Sequence, residues 1–479
     1  MSITQIIPLL IVLISIIGNH AEAKESNAPQ AENMTPESIL EISTSMIDNY
    51  VESGWFSGNI LVGSANSGKA SVQQSYGYAD IAEHIPNQAC TRFNIGSIAK
   101  IYTAVLVLQY IEKGTFSLDT SIAETGINID IAPDIAKKVT IGHLLKHKAG
   151  FSDIFIPDYM DDPLKFDTLT KKIALLRHKP LLFEPGTDRR YSNYGYILLG
   201  AVLEGLSGKS FGTLLRDNIF DVVNAKTASL HRLDGNECQS ERYVFSLEQT
   251  LELTDFREVS GPDGGIEATV DDVHAFFHAL FFSDKLLTRQ DEPFNWYFGE
   301  KSHFGAYGGG TGVSAAVEVL RDQEIIVVAL ANSDELVAER ISNRMVALAL
   351  HNDVAPFGLP PKHFVYQQYR ALGVEGFKAN FAQVYKQHGY SSFMGKAINE
   401  AGLSLARAGM TEASLEVIGF LSHFYPTAPQ AYDSLAYVYY LQGDAKRAQA
   451  AFKQALSFSA HFNSDYHANN YSMKGQEDK

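Results

Sequence analysis

The stretch Ser97-Ile98-Ala99-Lys100 places a hydroxyl and an amine three residues apart at the start of a helical pattern. Residues three apart share a helix face, so Lys100 is expected beside Ser97. A serine hydroxyl becomes a strong nucleophile when a nearby base takes its proton, and a desolvated lysine helps to do so. Alone the motif is weak, because a solvated serine near a surface lysine has the same spacing.

A second motif, Tyr191-Ser192-Asn193, lies just before another helical pattern. A lysine beside a phenol stabilises the phenolate, so Tyr191 is a candidate general base for Ser97. The amide of Asn193 could donate to a substrate carbonyl and orient the amine of Lys100. Each residue also fits an ordinary loop, and their order along the chain is what favours catalysis.

Glycine-rich segments supply two further candidate parts of the site. Residues 305–312 precede a predicted strand at Val313 and are expected to form a turn. Glycines there allow a substrate to lie against the strand edge and expose a backbone N–H to an oxyanion. Residues 261–265, Gly-Pro-Asp-Gly-Gly, are expected as a tight turn lining the same region.

In this order and context, the motifs resemble those of the serine β-lactamases and penicillin-binding-protein-like hydrolases. The resemblance is closest to class C and its esterase relatives, and it covers residues 38–350. It is carried by residues 93–100, 140–150, 185–200, 261–265 and 308–312. It implies a β-lactamase/transpeptidase-like fold and an acyl-enzyme mechanism without a cofactor.

The resemblance also implies a role for each site residue. Ser97 would be the acylated nucleophile, and Lys100 and Tyr191 would move its proton. The oxyanion hole would be formed by the backbone N–H groups of Ser97 and Gly310. The residues expected to bind substrate are Asn193, Tyr307, Gly309 and Gly310.

The chain departs from the family pattern at the third motif, which usually begins with lysine or histidine where this sequence has Tyr307. A cation there helps to bind the carboxylate of a β-lactam or D-alanyl peptide. His303 stands in the wrong register to replace it. We therefore expect an esterase or amidase acting on small uncharged acyl substrates. The alternatives are a D-alanyl-peptide hydrolase or β-lactamase, and a non-catalytic family member that serves as a binding protein.

The order of helical and strand-like segments predicts an α+β hydrolase domain over residues 24–352. Strand patterns occur at both ends, at 59–63, 70–76, 313–320 and 324–331, with a mostly helical insert between them. This arrangement indicates an antiparallel sheet flanked by helices and carrying a helical lobe. The first helix is expected to begin at Thr35-Pro36 and to pack through Ile39, Ile42, Met46, Ile47 and Tyr50.

Residues 353–370 are predicted to be a linker and residues 371–462 a tetratricopeptide-like helical repeat domain. Gly409 and Gly443 lie 34 residues apart, which is the tetratricopeptide period. A plain bundle of helical hairpins is the alternative. Stacked helix pairs form a groove, so a protein partner could bind there. The repeats could instead cover the hydrolase domain or mediate self-association. Residues 463–479 are expected to be disordered.

The N-terminal residues predict export to the bacterial periplasm or the medium. An apolar run from Ile6 to Ile17 is short for a membrane span, and Ala21-Glu22-Ala23 follows as a small-x-small cleavage site. We expect a signal peptide over 1–23, a flexible lead over 24–34 and no membrane span after cleavage. No lysine or arginine precedes the run, so an uncleaved anchor is the alternative.

The 479-residue chain carries a formal charge of −16, which argues against nucleic-acid binding. Cys90 and Cys238 could pair in an oxidising compartment or remain two buried thiols, and the sequence leaves both open. His143 and His147 are spaced to share a helix face and could ligate a metal. No third ligand with supporting spacing accompanies them, so neither a metal nor another cofactor is expected.

Overall fold

The computed structural model describes residues 35–65, 71–233, 235, 238–354, 356–462 and 464. The predicted signal peptide (1–23), the polar lead (24–34) and all of the predicted tail (463–479) except Ser464 lie outside these residues. The described chain falls into a larger unit, residues 35–245 and 251–354, and a smaller unit, residues 246–250 and 356 onward.

An antiparallel sheet is the centre of the larger unit. The strands of this unit are β1 (Gly58–Ser64), β2 (Val72–Tyr76), β3 (Tyr78–Asp80), β4 (Ile85–Pro86), β5 (Phe93–Asn94), β6 (Tyr243–Phe245), β7 (Leu251–Leu253), β8 (Glu267–Ala268), β9 (His303–Gly310), β10 (Val313–Leu320) and β11 (Ile325–Ala331). Within the described residues, five of them form the main sheet in the order β2-β1-β11-β10-β9. The short strands pair as β3 with β4, β5 with β8, and β6 with β7.

Helices cover both faces of the sheet and form the helical lobe. Those of the larger unit are α1 (Pro36–Glu52), α2 (Ala99–Glu112), α3 (Pro133–Lys138), α4 (Ile141–Leu145), α5 (Pro157–Asp161), α6 (Leu169–Ala174), α7 (Asn193–Ser207), α8 (Phe211–Leu215), α9 (Asp221–Val223), α10 (Val270–Phe282), α11 (Glu292–Phe298) and α12 (Val337–Ala349). Helices α1 and α12 pack on one face of the sheet and α10 packs on the other. Every residue of β1, β10 and β11 is buried, because both faces are covered.

This architecture confirms the predicted α+β fold with an antiparallel sheet and a helical lobe. Strand β10 has the predicted bounds, and α1 begins at the predicted cap, where the Thr35 hydroxyl accepts the Ser38 N–H at 3.2 Å. The buried face of α1 differs in one respect, since Ile42 is 50% exposed whereas Leu40 is buried. The apolar face is therefore rotated slightly from the one that the spacing predicted.

Several stretches form strands that the sequence pattern did not predict, among them the short strands β3, β4, β5 and β8. Residues 303–310 make the edge strand β9, whereas we expected most of them to form a glycine-rich turn. The turn between β9 and β10 is formed by Thr311 and Gly312 alone. The hairpin of β6 and β7 interrupts the insert that was expected to be helical.

The smaller unit contains α13 (Pro361–Gln387), α14 (Met394–Arg407), α15 (Thr411–Phe424), α16 (Pro429–Leu441) and α17 (Ala445–Phe458). Residues 361–370, expected as linker, are therefore helical, and α13 breaks at Gly373 with φ of 65°. α14 packs against α15 and α16 against α17. Gly409 and Gly443 both adopt positive φ between the paired helices. The assignment of these pairs as tetratricopeptide repeats stays a prediction.

Cys90 and Cys238 form a disulfide, which resolves the alternative that the sequence left open. The bond joins residues 148 positions apart in the larger unit. In the part of the chain that the structure describes, no helix is both long and apolar enough to cross a membrane.

Candidate active site

Ser97 lies in a single 3-10 turn (Gly96–Ile98) between β5 and α2. The Asn94 side chain anchors the end of β5, because its Nδ2 donates to Glu267 Oε1 at 3.1 Å. Its Oδ1 accepts the Gly96 N–H at 2.8 Å, and Gly96 adopts a left-handed φ of 52°. These contacts turn the chain sharply, so that α2 begins directly after the serine turn.

Two polar side chains converge on the Ser97 hydroxyl. The Lys100 Nζ is 3.1 Å from Ser97 Oγ, and the Tyr191 hydroxyl is 2.8 Å from the same atom. Lys100 is fully buried, and its Nζ lies 5.0 Å from the centre of the Tyr191 ring. One of these groups can take the serine proton while the other stabilises the charge that results.

The buried ammonium group of Lys100 has an acceptor for each of its three protons. These acceptors are Ser97 Oγ, Asn193 Oδ1 at 2.7 Å and the backbone carbonyl of Asp263. A charged group that is fully hydrogen-bonded can remain in the interior at moderate cost. The lysine is therefore held in one position beside the serine.

The 261–265 turn reaches the site as expected, and it contributes a backbone carbonyl rather than a side chain. Thr103 donates to the Pro262 carbonyl at 2.6 Å, which ties the turn to α2. Lys172 lies 3.6 Å from the Asp263 carboxylate on its other side. The Asp263 carboxylate is thus paired with Lys172, while its backbone carbonyl accepts from Lys100.

Asn193, the first residue of α7, connects Lys100 to a carboxylate that the sequence analysis missed. Its Oδ1 accepts from Lys100, and its Nδ2 lies 3.1 and 3.0 Å from the two carboxylate oxygens of Asp153. The Asn193 backbone N–H also donates to Asp153 at 3.3 Å. Burial raises the pKa of Asp153, while the Asn193 hydrogen bonds and the Lys100 charge oppose that rise.

His147 holds the segment that carries Tyr191. Its carbonyl accepts the Arg190 N–H at 3.0 Å, and its Nδ1 accepts the Ser192 N–H at 3.3 Å. Between these bonds, the His147 ring packs on the Tyr191 ring with centroids 4.5 Å apart. Burial, together with the charge of Lys100, lowers the pKa of His147 to about 3, so the ring is neutral at physiological pH.

The two histidines that were considered as metal ligands serve different structural roles. α4 ends at Leu145, so His147 does not continue that helix, contrary to our expectation, and adopts φ of 56°. His143 caps α4, because its Nδ1 accepts the Thr140 N–H at 3.3 Å. Among the described residues, no group of three or more His, Cys, Asp or Glu side chains is arranged to hold a metal ion.

The glycines of β9 allow this strand to lie against the serine turn. A Cβ atom on Gly308 would stand 2.1 Å from the Ile95 carbonyl oxygen and 3.0 Å from the Ser97 nitrogen. A Cβ atom on Gly96 would stand 3.0 Å from the Gly309 nitrogen. The edge strand and the Ser97 turn therefore meet backbone to backbone. The pairing of the Ser97 and Gly310 N–H groups as an oxyanion hole stays a prediction.

Tyr307 lies on the other face of β9, which corrects our expectation that it lines the substrate pocket. Side chains alternate along a strand, so Tyr307 and Gly308 point to opposite faces. The Tyr307 hydroxyl donates to Asn343 Oδ1 at 3.4 Å and adjoins the buried Glu318. Burial, reinforced by the Glu318 charge, raises the Tyr307 pKa. On the Ser97 face, the neighbour of Gly308 is the small apolar Ala306.

A family model described as Beta-lactamase matches residues 45–351. The chain belongs to the beta-lactamase family. The expected resemblance to β-lactamases and penicillin-binding proteins is thereby confirmed. Penicillin-binding protein 4* of Bacillus subtilis is 28% identical over 253 residues, covering 48% of this chain and 53% of that protein. Penicillin-binding protein 4 of Amycolatopsis lactamdurans is 35% identical over 129 residues, 27% of this chain and 33% of that protein.

The chain thus spans about half or less of the length of these curated relatives. A penicillin-binding protein from Bacillus halodurans superposes with a TM-score of 0.56 and 26% identity, covering 66% of this chain and 99% of that one. A class C beta-lactamase superposes with a TM-score of 0.54 and 16% identity, covering 68% and 99%. The second likeness shows the shared fold alone.

The structure brings together Ser97, Lys100, Tyr191 and Asn193 and places the Gly308–Gly309 backbone beside them. It does not bring Tyr307 to them. Neither Asp153 nor the positioning contacts of His147 were predicted from the sequence. No periodic signal marks Asp153, since a lone aspartate after Gly-Phe-Ser has the composition of an ordinary loop.

Proposed function

We propose that this chain is an exported serine hydrolase that forms an acyl-enzyme on Ser97 and acts on small uncharged esters or amides. The observation that carries the proposal is the pair of contacts on Ser97 Oγ, from the Tyr191 hydroxyl at 2.8 Å and from Lys100 Nζ at 3.1 Å. An ordinary solvated serine hydroxyl would not be contacted by both a buried lysine and a phenol at hydrogen-bond distance. Their convergence supports nucleophilic catalysis.

In the proposed first step, Tyr191 takes the proton of Ser97, with Lys100 stabilising the phenolate. The serine oxygen attacks the substrate carbonyl carbon, and the carbonyl electron pair moves to oxygen. The N–H groups of Ser97 and Gly310 would stabilise this oxyanion, and each would accelerate the reaction by about 10²–10³-fold. The tetrahedral adduct collapses, and the leaving group departs with the proton from Tyr191. Water activated by the same base then hydrolyses the acyl-enzyme.

The preference for uncharged substrates now rests on the face of β9 beside Ser97. This face presents Ala306 and Gly308, so the strand offers no cation to a substrate carboxylate there. His303 lies 2.7 Å from the buried Glu318, and its side chain is engaged away from the serine. The tyrosine at position 307 is not part of this argument, because it belongs to the opposite face.

A D-alanyl-peptide hydrolase or β-lactamase is the second candidate. The relatives named penicillin-binding proteins agree with this alternative.

A substrate panel decides between the two candidates. The purified protein is given a short-chain p-nitrophenyl ester, the cephalosporin nitrocefin and a D-alanyl-D-alanine peptide. We expect the highest kcat/KM on the ester. A nitrocefin or D-alanyl-peptide rate well above the ester rate would overturn the preference for uncharged substrates and establish the second candidate.

The nucleophile is tested with Ser97→Ala. We expect this variant to lose ester hydrolysis and fluorophosphonate labelling, because no hydroxyl remains between Lys100 and Tyr191. Ser75→Ala, at an exposed serine of β2, is the matched control and should behave as wild type. Labelling that persists in Ser97→Ala would identify a different nucleophile. A wild-type protein that neither labels nor hydrolyses any substrate would support the non-catalytic alternative.

Export is part of the proposal, and the Cys90–Cys238 disulfide supports it, since such bonds persist in oxidising compartments. The helix pairs of the smaller unit support a protein partner, because paired helices commonly offer an extended binding surface. Fractionation of the source cells with antibody detection tests the first part. Loss of a co-purifying protein on removal of residues 361–479, which begins at the first residue of α13, tests the second.

A further inference from the structure

We propose that Asp153 is a positioning residue of the catalytic site, which turns the Asn193 amide so that its oxygen holds Lys100 against Ser97. This inference rests on the proposed role of Ser97 and deepens it. The carboxylate lies in the loop between α4 and α5, outside all of the motifs that carry the family resemblance. Three groups in series thus lead to the Ser97 hydroxyl: Asp153, Asn193 and Lys100.

The chemistry of the two neighbours dictates the orientation of the Asn193 amide. A lysine ammonium group can only donate hydrogen bonds, and an ionised carboxylate can only accept them. Lys100 therefore requires the amide oxygen, at 2.7 Å, and Asp153 requires the amide nitrogen, at 3.0 and 3.1 Å. With the amide reversed, its NH₂ group would face the Lys100 ammonium group, donor against donor. Its oxygen would face the Asp153 carboxylate, acceptor against acceptor. Asp153 thus leaves one arrangement available.

Burial makes this constraint strong. Asn193 is 6% exposed and Lys100 is fully buried, so water cannot substitute for a missing partner at either residue. A buried donor or acceptor left unsatisfied is costly, which penalises any rotation of the amide. Without Asp153, the amide could rotate and remove an acceptor from Lys100. The lysine would then be free to leave the serine hydroxyl.

The same orientation bears on substrate recognition. From its sequence context, the Asn193 amide nitrogen was expected to donate to a substrate carbonyl, yet this nitrogen is directed at Asp153. A substrate carbonyl would gain little by accepting a hydrogen bond from the Asn193 amide nitrogen, because the Asp153 carboxylate already accepts from that nitrogen. This agrees with a small acyl group as the proposed substrate.

A purely structural role for Asp153 is the competing explanation. The carboxylate also accepts the Asn193 N–H at 3.3 Å and the Ile154 N–H at 2.7 Å, so it caps the start of α7. A cap stabilises the helix without affecting the amide orientation. The two roles predict different outcomes when the charge alone is removed, because asparagine caps a helix about as well as aspartate does.

The experiment uses the full chain and measures the rate of fluorophosphonate labelling together with kcat and KM for the p-nitrophenyl ester. Asp153→Asn keeps the size and the capping oxygen but can also donate, so both amide orientations become possible. We expect the labelling rate and kcat to fall by up to about 10²-fold with KM little changed, as for a catalytic group displaced by about 1 Å. Asp158→Asn, at an exposed residue of α5, is the matched control and should retain the wild-type rate.

A double-mutant cycle identifies the route through which Asp153 acts. In an Asn193→Ala background, Asp153→Asn should cause less than a twofold further loss, because its intermediary is already absent. Equal losses in the two backgrounds would overturn the proposal, and so would a wild-type rate for Asp153→Asn. If wild type itself does not label at Ser97, the proposed function fails instead, and the two failures are thereby distinguished.

Thermal unfolding shows whether slower labelling is accompanied by a loss of stability, which a positioning role does not require. Burial makes the ionised Asp153 unfavourable in the folded protein, so Asp153→Asn should melt at or above the wild-type temperature while it labels more slowly. If Asp153→Asn does not fold, the exchange Asp153→Asn with Asn193→Asp is compared with Asn193→Asp alone. The exchanged pair should label faster, since it avoids two facing carboxylates, and an equal or slower rate would contradict the proposal.

Discussion

The two faces of strand β9 carry neighbouring residues with opposite roles. On one face, Gly308 lies against the serine turn so closely that a Cβ atom would stand 2.1 Å from the Ile95 carbonyl oxygen. On the other face, Tyr307 reaches Asn343 and Glu318 beneath α12. A shift of one position along a strand exchanges the reactive side for the structural side. A residue of the glycine-rich motif therefore contributes to the Ser97 site only if it lies on the face of β9 that is directed towards Ser97.

The two tyrosines provide the strongest test of this contrast. Tyr191→Phe should lower kcat by about 10²–10⁴-fold, because the phenol that contacts Ser97 Oγ at 2.8 Å is lost. Tyr307→Phe likewise removes a tyrosine hydroxyl, but one on the face of β9 that is directed away from Ser97. It should leave kcat within about twofold and lower the free energy of unfolding by about 1 kcal/mol, the value of one hydrogen bond.

Ester kinetics and urea denaturation of both variants make this measurement. If Tyr307→Phe loses as much activity as Tyr191→Phe, Tyr307 lines the substrate pocket after all, and its placement on the opposite face of β9 is contradicted. A fully active Tyr191→Phe would remove Tyr191 from the proposed mechanism.

A second test adds one carbon to the reactive face. Gly308→Ala should reduce kcat/KM by about 10²-fold, because the added methyl group pushes β9 away from the Ser97 turn and misplaces the substrate. Gly195→Ala in α7 is the matched control, since its Cβ atom would meet no atom closer than 3.7 Å. Its kcat/KM should match that of wild type. Full activity in Gly308→Ala would show that the strand does not need its close approach to the serine.

The third test concerns stability at acid pH and has the smallest expected effect. The pKa of His147 is about 3 in the folded protein, below its ordinary value, so the unfolded chain binds a proton that the folded one excludes. The stability that depends on neutral His147 is complete above pH 6.5 and decreases as the pH falls towards 3. The slope should be about 1.4 kcal/mol per pH unit for one group.

His147→Asn removes this dependence while keeping a side chain that tolerates φ of 56° and can accept the Ser192 N–H. Its stability should fall less steeply than that of wild type between pH 6 and 4, as measured by chemical denaturation. The wild-type slope retains a contribution from His274, whose pKa burial lowers to about 4. His178→Asn, at an exposed histidine, should leave the slope unchanged. Parallel curves for His147→Asn and wild type would contradict the assignment of a neutral His147.

Local patterns predicted much of this molecule. The spacing of Ser97 and Lys100 placed the amine beside the hydroxyl, because three residues make almost one helical turn. The strand-like pattern of residues 313–320 predicted β10 with its observed bounds, and the Thr35-Pro36 cap predicted the start of α1. The fold class followed from the order of these elements. Each of these inferences uses contacts within a few residues of each other.

Other features depend on residues that are distant in the chain. Asp153 acts on Asn193 from 40 positions away, and the disulfide joins residues 148 positions apart. The glycines of β9 were expected to form a turn because their composition is typical of turns, yet pairing with β10 makes them a strand. Strand pairing is a tertiary interaction, and it also determined which face received Tyr307.

The sequence by itself identified the candidate nucleophile Ser97, its neighbour Lys100, the candidate base Tyr191 and the family to which the chain belongs. These features reside in short motifs whose geometry is set by one helix turn or by their order along the chain. Only the tertiary structure decided that Asp153 orients Asn193, that His147 supports Tyr191 and that Tyr307 faces away from the serine. Such contacts depend on how separate segments approach each other, and burial then leaves each polar group only the partners that the fold provides.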